Sequence, residues 1–160
     1  MSDLYNRDFV LWTKEQATAL RRAKASNLPL DRENLAEEIE SLGASQRTQL
    51  NSQVRRILRH LFKLDASPAI DPRVGWHETI RDARAEIEDL LEASPSLGHE
   101  IDAIVKKQTA TAAKHAAADL EEHGQPADLV RVRLQNGGFT PEQVITDWLP
   151  EASVDATKAG

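Results

Sequence analysis

The chain has 160 residues and a net charge of −6, with 40% apolar, 29% charged and only 4% aromatic residues. This length suits one domain with its own hydrophobic core, and the composition favours helices over a β-sandwich. The acidic charge argues against general nucleic-acid binding, because phosphate neutralisation requires a cationic surface. The sequence has no cysteine, no signal-like N-terminus and no apolar run of membrane-spanning length. We therefore expect a cytoplasmic protein that does not span a membrane.

The first predicted helix runs from about Asn6 to Ala25. Apolar and small residues recur there at spacings of three and four, which predicts one buried stripe. The stripe consists of Phe9, Trp12, Gln16, Ala19 and Ala23. Pro29 ends this region, because proline disfavours helix in the residue before it.

The second predicted helix starts at Asp31, an N-cap residue, and continues to Asp65. It carries a first apolar row, Leu35, Ile39 and Leu42, and a second row, Leu50, Val54, Ile57, Leu61 and Leu64. The rows are out of phase by about one position, and Gly43 follows the first. Gly43 marks either a kink or a C-cap before a fresh start at Ser45; we favour one long, bent helix.

Two further main helices and a less regular C-terminal region follow. Asp71 and Pro72 begin a strongly amphipathic helix, and another helix begins near Pro95 and ends at Gly124. Residues 125–136 alternate like a strand, but a lone strand would have no partner, so we predict a short helix. Asn136 to Gly138 is a predicted turn, and Thr140 to Gln143 is a capping box that starts a helix to Trp148.

These elements predict an all-α fold. We expect an up-down bundle of four main helices with a long bent second helix, plus one or two short C-terminal helices. Residues 1–150 are predicted to form a single helical-bundle domain, and residues 151–160 a flexible tail.

A polar cluster on the second helix is the first candidate site. Four of its members share one helix face, and carboxylates with a histidine can bind a metal or share acid–base chemistry. The cluster comprises Asn34, Glu37, Glu38, Ser41 and His60. A site joining Glu38 to His60 requires the chain to reverse at Gly43, since 22 residues of straight helix span about 33 Å. The alternative, which we favour, is ordinary ion pairing of Glu33, Glu37 and Glu38 with Arg21, Arg22 and Lys24 of the first helix.

A basic patch is the second candidate site. Hairpin geometry should gather seven cations at one end of the bundle, where they would attract an anion. They are Arg55, Arg56, Arg59, Lys63, Arg73, Arg81 and Arg84. The patch is either a docking site for an acidic partner or nucleic acid, or it is covered by Asp119, Glu121 and Glu122.

Several short stretches resemble a bacterial family, the domain-of-unknown-function family 29. They include Tyr5-x-x-Asp8-Phe9-x-x-Trp12, the run Asn34-Leu35-x-Glu37-Glu38-Ile39-Glu40-Ser41-Leu42-Gly43 and Trp148-Leu149-Pro150. The resemblance covers nearly the whole chain up to Pro150, with residues 125–136 fitting least well. It implies a small helical protein and supplies no activity.

No catalytic triad, phosphate loop or dinucleotide fingerprint occurs, so we expect no cofactor and no enzymatic activity. The best hypothesis is a non-enzymatic interaction or assembly module that binds an unknown protein partner or itself. The alternatives are an enzyme or metal-binding protein using Glu37, Glu38 and His60, and a binder of acidic partners or nucleic acid through the basic patch, although the acidic net charge argues against nucleic acid.

Overall fold

The computed structural model describes residues 3–24 and 28–151, and every regular element in these ranges is helical. The predicted all-α class is therefore confirmed. The elements are α1 (Leu4–Arg7), α2 (Phe9–Arg22), α3 (Arg32–Ala66), α4 (Arg73–Ala93), a 3-10 helix (Pro95–Glu100), α5 (Ile101–Glu122), α6 (Asp128–Gln135) and α7 (Pro141–Ile145). The four predicted main helices are α2 to α5, and α6 and α7 are the two short C-terminal ones.

The chain divides into two compact units. Unit 1 takes in residues 1–50 and 88–100, and unit 2 takes in residues 51–87 and 101–160. Helices α3 and α4 each contribute to both units. The single domain over residues 1–150 stays a prediction, and the predicted tail lies outside the described residues except for Glu151.

The first predicted helix is divided at Asp8, which has extended backbone angles (φ −157°, ψ 97°). Its carboxylate accepts hydrogen bonds from the amide of Leu11 at 2.9 Å and from the amide of Ser96 at 2.7 Å. Asp8 is thus an N-cap, and α2 begins at Phe9, so the start predicted at Asn6 was wrong. The helix ends at Arg22, before the predicted end at Ala25, which lies outside the described residues.

The buried stripe of α2 is also displaced from its predicted position. The buried residues are Val10, Thr13 and Ala17, whereas Trp12 is half-buried and Ala19 is exposed. The displacement follows from the approach of α3, whose Gly43 lies against Thr13 and the carbonyl of Val10.

Helix α3 runs without interruption from Arg32 to Ala66, through Gly43. The C-cap alternative at Gly43 is therefore wrong, and the single long helix is confirmed. Glycine is favoured at position 43 for a different physical reason. A Cβ at position 43 would lie closer than 3.0 Å to Thr13 Oγ1, so glycine permits the close approach of α2 and α3.

The core of unit 2 contains the second apolar row of α3, as predicted. Val54, Ile57, Leu61 and Leu64 have no solvent exposure, and Phe62 beside them contacts Phe139 edge-to-face at 4.9 Å between ring centroids. The predicted apolar faces of the next two main helices are buried in the same way. Their fully or almost fully buried residues in unit 2 are Ile80, Ala83, Ile87, Ile101, Ile104, Val105, Ala112, Ala113, Ala116 and Leu120.

The C-terminal region contains the predicted helix α6, the predicted turn and the predicted capping box. Gly137 and Gly138 have positive φ angles of 97° and 73°, and Thr140 and Gln143 exchange both capping-box hydrogen bonds. However, α7 ends at Ile145 and does not reach Trp148.

Arg84 explains why the chain can leave the helix at this point. Its guanidinium donates to the carbonyls of Val144, Gln143 and Trp148 at 2.8–2.9 Å. The bonds to Gln143 and Val144 satisfy carbonyls that a helix reaching Trp148 would have paired internally.

Candidate interaction surface

Helices α2 and α3 pair in antiparallel fashion within unit 1. Thr13 lies beside Gly43, and further along, Arg21 bonds to Glu40 at 2.6 and 3.0 Å and to Glu33 at 3.1 Å. Residue numbers thus rise on one helix as they fall on the other. We call this arrangement the α2–α3 pair.

One side of the α2–α3 pair is charged. The Arg21 guanidinium holds the pKa of the Glu40 carboxyl below its ordinary value through their hydrogen bonds. The predicted pairing of Arg21 with Glu33 is confirmed, but Glu37 and Glu38 form no ion pair within the described ranges. The register set by Thr13 and Gly43 brings Glu40, which was not among the predicted ion-pair residues, opposite Arg21.

The remaining polar-cluster residues of α3 make local helix contacts. Asn34 bonds to the side chain of Asp31 through its backbone amide (3.2 Å) and its Nδ2 (2.6 Å). Ser41 donates to the backbone carbonyl of Glu38 at 2.8 Å. Both glutamates, Glu37 and Glu38, are exposed. The bonds of Asn34 and Ser41 are thus local to the helix, the two glutamates face solvent, and these four side chains do not converge on a common point.

His60 is not brought to this cluster, because α3 passes through Gly43 without reversing. The histidine Nδ1 lies 2.9 Å from the carbonyl of Arg56, and burial lowers its pKa below the ordinary value. Within residues 3–24 and 28–151, no group of three or more His, Asp or Glu side chains is placed to hold a metal ion. The predicted metal or acid–base site therefore lacks the reversal on which it depended.

The basic patch is partly neutralised within unit 2. Asp119 accepts two hydrogen bonds from Arg59 at 2.5 and 2.7 Å and lies 3.4 Å from Lys63. The Arg59 guanidinium holds the pKa of Asp119 below its ordinary value. Of the other two predicted covering residues, Glu121 pairs with Arg131 at 2.6 Å instead.

The other cations of the patch are divided between internal bonds and solvent. Arg73 donates to the carbonyl of Ser67 at 3.0 Å, and Arg55 lies 3.5 Å from Gln108 Oε1. Arg84, on α4, is buried and bonds to carbonyls of α7. Arg56 and Arg81 are exposed. Docking of an anionic partner on this patch stays a prediction.

The apolar row at the start of α3 is the feature that the fold leaves open. Leu35 is 41% exposed and Leu42 is 51% exposed, although both belong to the predicted apolar row, and Ile39 is half-buried. The next position of the same row is Gln46, which accepts a hydrogen bond from Ser94, the residue after α4, at 2.7 Å. The end of α4 thus reaches the row at Gln46, and the earlier turns of α3 extend beyond it.

Helix α2 presents a matching row on the same side of the α2–α3 pair. An α-helix turns by about 100° per residue. About the α2 axis, Trp12, Gln16 and Ala19 are therefore rotated from Thr13 by roughly 60–120°. About the α3 axis, Leu35, Ile39 and Leu42 are rotated from Gly43 by roughly 40–100°. Both rotations have the same sense, and antiparallel helices are related by a two-fold axis perpendicular to the pair. The two rows therefore form one face, which we call the open face.

The family model described as Domain of unknown function DUF29 matches residues 4–148. The chain belongs to the DUF29 family. The predicted resemblance is thus confirmed over both units. The run that carried it, from Asn34 to Gly43, supplies the α3 part of the open face and the glycine that contacts Thr13.

A solved structure shows the same fold. It is the crystal structure at 1.45 Å resolution of an alpha-helical protein of unknown function from Rhodospirillum rubrum ATCC 11170, 24% identical to this chain. The alignment covers 94% of this DUF29 chain and 100% of the other, with a TM-score of 0.66. None of the curated proteins matches. Family membership therefore assigns the fold and leaves the function open.

Two polar residues that organise this DUF29 structure have roles other than the predicted ones. Asp8 was placed inside a helix, and Arg84 was counted among patch cations, whereas it is 9% exposed and bonded to three carbonyls. For Arg84, the only sequence signal was Pro150, which ends the segment after Trp148 and so prevents a longer helix there.

No described helix is long and apolar enough to cross a membrane.

Proposed function

We propose that this DUF29 chain is a non-enzymatic protein-interaction or assembly module that acts through the open face. The observation that carries the proposal is the exposure of Leu35 and Leu42, seven residues apart on one face of α3. Singly scattered apolar residues are ordinary on protein surfaces, but a contiguous row marks an interaction site. An amphipathic helix face of this spacing is the kind that packs against another helix.

The neighbouring polar groups support binding more than chemistry. Asn34 and Ser41 bond within α3, Arg21 is held by Glu33 and Glu40, and Asp8 is held by two backbone amides. A catalytic site requires a nucleophile or acid–base group whose geometry converges on a substrate position. The polar groups named above instead fix the α2–α3 pair and its contact with the 3-10 helix.

A pull-down with a matched control tests the proposal. The bait is the full chain, either as it is, as the double variant L35S/L42S, or as the control I70S/V74S, which changes two exposed apolar residues of unit 2. We expect the original chain and I70S/V74S to retain the same partner, whether another protein or the chain itself under a different tag, and L35S/L42S to lose it. Equal retention by all three baits would contradict the proposal.

We also propose that the protein acts in the bacterial cytoplasm. The absence of cysteine is compatible with a reducing compartment, and the related solved structure comes from a bacterium. Fractionation of bacterial cells that express the untagged chain should place it with cytoplasmic markers. Recovery with periplasmic or membrane markers would contradict this location.

A further inference from the structure

We infer that the occupant of the open face is a second copy of this chain, with α2 of each copy packed on α3 of the other. This inference rests on the proposed interaction function and names its partner. The face belongs entirely to unit 1, and its apolar members are Trp12, Ala19, Leu35, Ile39 and Leu42.

The size of the face fits a weak homodimer. Helix α2 has 14 residues, so the face is about 21 Å long and, for two adjacent helices, about 20 Å wide. The footprint is then about 400 Å² per copy, or about 800 Å² in total, which is below the roughly 1,200 Å² of standard interfaces and in the range of weak, transient ones. Self-association is therefore expected to depend on protein concentration.

Charge complementarity favours a second copy. Arg22 of α2 and Glu38 of α3 are exposed and have no ion-pair partner within the described parts of the chain. One chain thus offers an unpaired cation on α2 and an unpaired carboxylate on α3 at the edges of the open face, whereas Arg21, Glu33 and Glu40 pair with one another on the opposite side.

The charges also select the arrangement of the two copies. Packing α2 on the α3 of the other copy brings Arg22 toward Glu38, whereas packing α2 on α2 and α3 on α3 keeps these two residues apart. The two-fold symmetry of a dimer repeats each favourable contact. The result is a four-helix arrangement in which both apolar rows are covered.

Sedimentation of the full chain tests the self-association. From about 1 µM to about 1 mM, the range in which small interfaces associate, the molar mass should rise from monomer toward dimer. The variant L35S/L42S should stay monomeric, and I70S/V74S should behave as the original chain. Circular dichroism confirms that each variant keeps its helices.

The outcomes separate this inference from the proposed function. A chain that stays monomeric throughout, while L35S/L42S still loses a heterologous partner, overturns the second-copy inference and leaves the proposed function standing. Dimerisation that L35S/L42S does not weaken overturns the inference as well, because another surface then joins the copies.

Charge reversal tests the arrangement. Either R22E or E38R alone should raise the dissociation constant by roughly threefold or more, since each opposes like charges at both symmetric contacts. An equimolar mixture of the R22E and E38R chains should associate as well as the original chain, because each contact then joins unlike charges. If the single variants dimerise normally, the packing of α2 on α3 is wrong.

Discussion

The two halves of α3 carry similar apolar rows but differ in how far those rows are buried. Leu35 and Leu42 in unit 1 are about half exposed, whereas Ile57 and Leu61 in unit 2 have no exposure at all. Both rows belong to one uninterrupted helix. Helical periodicity therefore identifies which face of a helix is apolar, but other elements decide whether the chain itself covers that face.

The difference between the two halves has a visible cause. The second half lies among helices whose apolar faces are buried in the same unit, including Ile80 of α4 and Leu120 of α5. The first half is paired with α2, and Ser94, the residue after α4, bonds to it at Gln46. A row that is built like a core row but left open is what an interface requires.

Truncation of a leucine in each half gives the largest expected contrast. Leu61→Ala should lower the free energy of unfolding by about 2–5 kcal/mol, because it removes buried methyl groups and leaves a cavity. Leu42→Ala should change it by less than about 0.5 kcal/mol in the monomer. Urea denaturation at low protein concentration measures both. Equal losses would show that the two rows are equally buried.

Removal of Arg84 tests the polar anchoring of unit 2. Arg84→Ala should lower the free energy of unfolding by about 2–3 kcal/mol, because it leaves three carbonyls near α7 without their charged donor. Arg81→Ala, an exposed neighbour on α4, is the control and should cost less than about 0.5 kcal/mol. An Arg84→Ala variant as stable as Arg81→Ala would refute the anchoring role.

Gly43→Ala tests the close contact that positions the open half of α3. The added Cβ meets Thr13 Oγ1, and we expect a loss of about 1–2 kcal/mol despite the better helix propensity of alanine. The double variant T13A/G43A removes the obstructing hydroxyl and should recover part of this loss. Gly75→Ala, where the Cβ meets open space, should be neutral or stabilising. A neutral Gly43→Ala would disprove the tight contact.

The Arg59–Asp119 pair gives the smallest expected effect, and it depends on pH. Asp119 has a lowered pKa in the folded chain, so the pair stabilises the protein above the unfolded-state pKa of about 3.9 and loses this effect as pH falls through the folded pKa. Asp119→Asn should cost about 1 kcal/mol at neutral pH. The difference in the free energy of unfolding between Asp119→Asn and the original chain, measured by urea denaturation, should become smaller below about pH 4. A gap that widens in acid would have the wrong sign.

Local signals account for most of what the sequence could predict. The capping box at Thr140, the turn at Gly137 and Gly138, and the buried row from Val54 to Leu64 all depend on neighbouring residues or helical spacing. The break at Asp8 was missed because its second acceptor bond comes from Ser96, 88 positions away.

Contacts between residues far apart in the sequence also explain why the predictions for Gly43 and for the first apolar row of α3 were incomplete. Gly43 was assigned a local role, a kink or cap, whereas its role is to admit Thr13 of another helix. The exposure of Leu35 and Leu42 depends on where α4 ends, which no pattern within α3 encodes.

Thiol labelling at Leu42 tests the central claim most directly, because the chain has no cysteine of its own. The single variants Leu42→Cys and Ile70→Cys place one thiol on the open face and one on the exposed surface of unit 2. We predict that labelling at position 42 slows as the protein concentration rises, while labelling at position 70 does not change. If position 42 reacts at the same rate at every concentration, a second copy does not cover the open face.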